Sequence, residues 1–142
     1  MHQWRLGEWC AGELFDALEE QRVPVLLHIS EAGWDDIAAL LAAHPKLPLI
    51  ILGTYYRVDR YLYPLWEKHE NLYLEANTYG VFRGIEAVCE RFGAERFVFG
   101  TGLPDLEPGA PIAQVTYAEI PDEDKRTIAS GNLERLLAGE KE

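Results

Sequence analysis

Residues 35–53 read DDIAALLAAHPKLPLIILG, and the two halves of this stretch follow different rules. In the first half, Ile37, Leu40 and Leu41 recur at helical spacing behind Asp35 and Asp36. Two carboxylates at that point suit the positive end of a helix. The His44-Pro45 pair then makes a helix-to-strand turn. In the second half, Leu47–Gly53 is nearly continuous in apolar residues, as a strand buried on both faces should be. A helix followed by such a strand is the building unit of a parallel sheet with crossover helices.

The same unit recurs on both sides. Upstream, Leu14, Phe15 and Leu18 form a helical stripe ahead of the run Val23–Ser30. Downstream, Val58, Tyr61, Leu62, Leu65 and Trp66 form another, with Pro64 implying a kink or a break. The run Asn71–Asn77 alternates more than the others, so its two faces should differ. Ile85, Val88, Cys89 and Phe92 follow, with Gly93 placed as a helix stop. The last run is Arg96–Thr101. A loop rich in Gly and Pro extends from Gly102 to Pro111. Pro121 opens a final helical region with Asp122, Glu123 and Asp124 in its first turn, punctuated by Gly131-Asn132 before Leu133, Leu136 and Leu137. The order is α-βα-βα-βα-βα in one α/β domain, 1–142. Crossovers of this kind are right-handed. Two architectures fit: an open α/β sheet, or four βα units with a leading helix making half of a (β/α)8 barrel, which needs about 250 residues in full.

Of the 142 residues, 48% are apolar and 26% charged, so a core is within reach and wholesale disorder is excluded. The net charge of −11 and the lack of a dense Lys/Arg cluster exclude nucleic acid as a partner, because phosphate would repel this chain. An anionic membrane surface is excluded for the same reason, and no apolar run approaches the ~20 residues that span a bilayer. The N-terminus, MHQWRLGEWC, shows no export signal. Cys10 and Cys89 are too far apart for a CxxC unit and are expected as reduced, buried thiols of a cytoplasmic protein.

At His28 and in AAHPKLPLIILG (42–53), NLYLEANTY (71–79), RFGAERFVFGTGLP (91–104) and IASGNLERLL (128–137) the chain resembles the amidohydrolase-related (type 2) family of metal-dependent hydrolases. The match runs from roughly Gly12 to Leu137 and corresponds to the C-terminal half of that family's barrel, from about its fifth strand to its eighth. The resemblance implies a hydrolase, or a related lyase, acting on a small organic substrate. The departures are specific. The family's His-x-His strand has no counterpart here. His28 occupies the position of the fifth-strand His. The sixth strand's His is missing from Leu52-Gly53-Thr54-Tyr55. Gly102 stands where the family carries the Asp that binds metal and accepts a proton. The resemblance therefore implies a divergent member with a lost or degenerate metal centre.

His28 is the candidate catalytic acid or base. The candidate ligand-binding residues are Tyr55, Tyr56 and Arg57 after the second strand, Glu75 and Asn77, and Thr101. Two rings and a guanidinium suit a planar or carboxylate-bearing ligand. Glu75 and Asn77 share strand parity and so point to one side, either into a pocket mouth or towards the helices. Thr54 and Thr101, each after a strand-end glycine, carry hydroxyl donors. No metal or other cofactor is assigned. Zn²⁺ would need about three protein ligands, His28 joined by carboxylates such as Glu31, Glu75 or Asp105. His44 and His69 are expected to be structural, His69 at a helix end that favours a cation. His2 is expected to be mobile and Cys89 buried rather than catalytic. The alternative to an enzyme is a non-catalytic barrel relic that binds a small ligand or self-associates. A half-barrel leaves two strand edges and an apolar interior to water, so a second copy or a missing N-terminal half is expected to cover them.

Overall fold

The computed structural model describes residues 5–139, so His2 lies outside the described residues. The elements are α1 (Glu8–Glu20), β1 (Val25–His28), α2 (Trp34–Ala43), β2 (Leu49–Leu52), α3 (Asp59–Trp66), β3 (Leu72–Glu75), α4 (Gly84–Phe92), β4 (Phe97–Val98), α5 (Gly109–Tyr117), α6 (Asp122–Arg126) and α7 (Asn132–Leu137). A 3₁₀ turn at Ala94–Arg96 leads into β4, and a π-turn at Thr127–Gly131 joins α6 to α7. All strand pairs are parallel and the spatial order β1-β2-β3-β4 repeats the chain order. An open doubly wound sheet reverses its order at a switch point, whereas a (β/α)8 barrel does not. The arrangement is that of half a barrel.

The two faces of the sheet are covered differently. Leu27, Leu49, Ile51, Leu72, Leu74 and Phe97 point to the helices and form one core with Phe15, Ile37, Leu41, Leu62, Trp66 and Ile85. On the opposite, inner face, Ile50, Tyr73 and Val98 form a second, smaller cluster with Leu136 and Leu133 of α7. The interior expected to lie open is thus partly sealed by the chain's own last helix. Asn132 sets that helix in place: its side-chain amide donates to the carbonyls of Ala94 and Phe97 at 2.9 and 2.7 Å.

Several local expectations are corrected. Val23–Ser30 is not buried on both faces. Leu27 is buried, but Leu26 is 58% exposed on the inner side of the edge strand β1, outside the cluster that α7 forms on β2, β3 and β4. All four residues of β3, Leu72, Tyr73, Leu74 and Glu75, are buried, yet its two faces do differ: Leu72 and Leu74 join the helix-side core and Tyr73 the inner cluster. Leu136 covers Tyr73, and the backbone at Gly100 lies against Glu75. The break expected at Pro64 does not occur. The helix continues to Trp66, and the Glu67 N–H still reaches the Tyr63 carbonyl at 3.1 Å. The Gly/Pro-rich loop is shorter than expected, because α5 begins at Gly109. Cys10 is exposed rather than buried, while Cys89 is half-buried and both are free thiols. Burial, helped by Asp124, Glu95 and Glu86, pushes the Cys89 thiol up to about 12, so it is inert. The helix end does not favour a cation at His69, whose pKa is lowered by burial and by Lys68. Gly93 does end α4, with φ of 89°.

Candidate functional site

The inner face is sealed by α7 only in part. Above Leu133, towards the C-terminal ends of the strands, a cleft of about 580 Å³ opens between the sheet and the loop after β4. Barrels place their chemistry at this end. Its apolar lining includes Leu26, Leu52, Leu103, Leu106 and Leu133, and its polar lining is His28, Glu75, Asn77, Thr78 and Asp105. Two of the polar residues arrive by strand geometry. His28 is the last residue of β1 and pairs in register with Leu52. Glu75 is the last of β3 and pairs with Val98. Asn77 and Thr78 follow in the turn after β3, and both line the cleft with Glu75.

Three strand-end glycines make room for three of these side chains. A Cβ at Gly53 would lie 2.0 Å from Nε2 of His28. One at Gly100 would lie 2.2 Å from Oε1 of Glu75, and one at Gly102 would lie 2.3 Å from Nδ2 of Asn77. Each polar group is therefore seated against the bare backbone of a neighbouring segment. Gly53 and Gly102 also have φ of 70°, a conformation that side chains other than glycine rarely adopt. A side chain at either position would be strained and would have to displace the polar group seated there.

His28 is oriented by Ser30. The Ser30 backbone N–H donates to Nδ1 at 3.2 Å, and the Ser30 hydroxyl lies 2.8 Å from the same atom. An Nδ1 that accepts leaves the proton of the neutral ring on Nε2. Glu75 is 9% exposed and its Oε1 has no hydrogen-bond partner. Desolvation by burial raises its pKa, and the Asn77 backbone N–H opposes that only in part. Thr54 Oγ1 and Thr78 Oγ1, in the loops just beyond β2 and β3, are likewise buried without a partner.

The structure brings His28, Glu75 and Asn77 together and leaves the other candidates outside. Tyr55 and Tyr56 are 50% and 60% exposed and do not line the cleft. Arg57 also lies outside it, with its guanidinium 5.2 Å from the centre of the Tyr56 ring. The Thr101 hydroxyl accepts the Leu103 N–H at 3.4 Å and does not line the cleft. Thr78 and the seats at Gly53 and Gly100 were missed by sequence reasoning. The available signal was a glycine closing an apolar run one strand away from a polar strand-end residue.

Among the described residues, the one set of three side chains with metal-ligating atoms within 4.8 Å of one another is Asp16, Glu19 and His44. It lies near the opposite end of the sheet, where Nδ1 of His44 is 3.4 Å from Glu19 and 3.5 Å from Asp16. Glu19 also accepts the Lys46 N–H at 2.7 Å, which ties α1 to the α2–β2 turn. His28, Glu31, Glu75 and Asp105 form no such set.

A family model described as amidohydrolase matches residues 1–138. By structure the chain is similar to an uncharacterized TIM-barrel protein from Bordetella bronchiseptica, with a TM-score of 0.78 and 21% sequence identity. That likeness covers 96% of this chain and 53% of the other, so the chain spans about half the length of the barrel it matches. No curated protein matches it. No helix among the described residues is long and apolar enough to cross a membrane.

Proposed function

Because the chain belongs to the amidohydrolase family, we propose that the cleft above α7 is a hydrolytic site for a small organic substrate, worked by side chains and not by a bound metal. The observation that carries this reading is the convergence of His28, Glu75 and Asn77 on one largely apolar cleft, each seated against a glycine. The Nε2–H of His28 donates to the substrate carbonyl and steadies the charge that grows on its oxygen as water attacks. Glu75 takes a proton from that water and returns it to the leaving atom as the bond to the carbonyl carbon breaks. A carboxyl whose pKa is raised by burial suits both halves of this exchange better than an ordinary one. The apolar lining excludes bulk water and holds the substrate body. A cytoplasmic location belongs to the same reading.

The test is a turnover screen over simple amides, lactams and esters, with His28→Asn beside the natural chain. The expected result is hydrolysis that the substitution lowers by about 10²-fold or more. An equal rate in His28→Asn overturns the reading. A second reading is a relic that self-associates, favoured by Leu26 at 58% exposure on the edge strand β1. Sedimentation at micromolar concentration tests it: Leu26→Glu should dissociate any dimer, and a natural chain that is monomeric throughout removes it.

A further inference from the structure

We propose that Asp16, Glu19 and His44 form a divalent-metal site, suited to Zn²⁺, that fastens α1 to the turn between α2 and β2. The site shares no residue with the cleft and lies near the opposite end of the sheet, so it stands apart from the hydrolytic reading.

Two elements supply the ligands. Asp16 and Glu19 sit three positions apart on α1, so one face of that helix presents both carboxylates. His44 comes from the other side, as the C-cap of α2. One ligand atom from each of the three side chains lies within 4.8 Å of the other two. Acidic pairs are ordinary on helix surfaces. This pair is set apart by a histidine that is only 3% exposed and turns its Nδ1 towards both carboxylates.

The distances suit an ion better than a hydrogen bond. Nδ1 lies 3.4 Å from Oε2 of Glu19 and 3.5 Å from Oδ1 of Asp16. A charge-assisted hydrogen bond would draw either pair to about 2.7–2.9 Å. Tetrahedral ligands bound to zinc at about 2.0–2.1 Å stand about 3.3–3.4 Å from one another. A protonated His44 would balance only one of the two carboxylates, in a chain whose net charge is −11. A divalent cation balances both. An imidazole nitrogen among the donors favours zinc and similar transition ions over Mg²⁺ and Ca²⁺, which take oxygen ligands.

The ligands are held in place by the fold itself. The His44 N–H donates to the Leu40 carbonyl at 2.9 Å, and the His44 carbonyl accepts the Asn71 side-chain amide at 2.9 Å. Phe15 packs against the imidazole with ring centres 5.8 Å apart. Oε1 of Glu19 accepts the Lys46 N–H at 2.7 Å, which leaves Oε2 to face His44. Supporting contacts of this kind orient the ligands of protein metal sites. Asp16 is 73% exposed and gives the ion its way in, with water to complete the coordination.

The test is a zinc titration of the full chain at neutral pH, followed through the His44 imidazole NMR signals and through the urea midpoint with and without zinc. The background carries Cys10→Ser, because Cys10 is an exposed free thiol that could bind zinc itself. About one ion per chain should bind, shift the His44 signals and raise the midpoint. Asp16→Asn and Glu19→Gln should each weaken binding at least about tenfold and remove the zinc-dependent rise. Both substitutions keep the shape of the side chain, and Asp16 is exposed enough for its variant to fold. Zinc binding in His28→Asn should match that of the background. Zinc that leaves the His44 signals unmoved overturns the proposal. So does binding that survives both substitutions on α1, or binding that is lost with His28→Asn. An ion pair that needs no metal would lower the midpoint equally with and without zinc in Asp16→Asn, and that result overturns it as well.

Discussion

The two ends of the sheet treat buried polar groups in opposite ways. At the N-terminal end, the Asn71 side chain donates to the carbonyls of His44 and Leu47 at 2.9 and 2.8 Å. Asn132 holds two more carbonyls, and the Arg96 guanidinium reaches those of Trp66, His69 and Glu70. At the C-terminal end, Thr54, Glu75 and Thr78 each bury an oxygen that has no partner. The strands, helices and apolar core are shared, so the contrast is not one of general packing quality. One end uses polar side chains to close loops onto the sheet. The other holds polar side chains whose hydrogen bonds are left for something else to make. Barrels divide stability and chemistry between their two ends in this way, and here the division is visible atom by atom in half a barrel.

The sharpest way to break this comparison is to attack the satisfied end. Asn132→Ala strips two buried carbonyls of their donor at once and frees α7 from the base of β4. The expected cost is roughly 2–6 kcal/mol in urea denaturation, at about 1–3 kcal/mol for each of the two orphaned groups. A cost below 1 kcal/mol, on the scale of an ordinary surface change, would mean that the N-terminal end is not where the fold is fastened. A smaller stability effect is expected at the other end. Gly53→Ala puts a Cβ within 2.0 Å of Nε2 of His28, on backbone at φ of 70°. The strain is worth about 1–3 kcal/mol. Its larger consequence is a displaced imidazole, so any turnover should fall further than stability does. A variant that loses stability but keeps its turnover would show that the glycine serves the turn and not the histidine.

This division also explains what could be read from the residues alone. The strands and helices were legible because their apolar periodicity is a local property, and tertiary packing agrees with it over most of the chain. His28 and Glu75 stand at strand ends, as their runs suggested, but the residues alone left open which side Glu75 and Asn77 face, and Asn77 lies past the end of β3. What was not legible depends on which neighbours are present. Leu26 reads as core, yet it is exposed because β1 is an edge. Leu136 closes over Tyr73 from more than sixty positions away, a contact that no local pattern announces. Tyr55, Tyr56 and Arg57 have the right chemistry for a ligand, but the loop after β2 carries them past the cleft. The seats at Gly53 and Gly100 were hidden for the same reason, since each glycine is explained by a side chain on a different strand.

The smallest expected effect tests the unsatisfied end directly, through pH. In the folded chain the Glu75 pKa is raised, chiefly by desolvation. A group of this kind binds its proton more tightly folded than unfolded. Its contribution to stability is therefore fully present below the carboxyl's unfolded pKa and is lost as pH rises through the folded value. Glu75→Gln carries no proton to lose, so its stability lacks this component. Measured by urea denaturation at a series of pH values, the two chains should diverge as pH rises from the ordinary carboxyl range, with the natural chain falling behind the variant. The other acidic groups titrate in both proteins and cancel in the difference. Parallel curves would mean that Glu75 keeps its charge at no cost, and the contrast between the two ends would then rest on the threonines alone. Divergence would show that the fold gives up stability at Glu75, inside the cleft, to keep a buried carboxyl there.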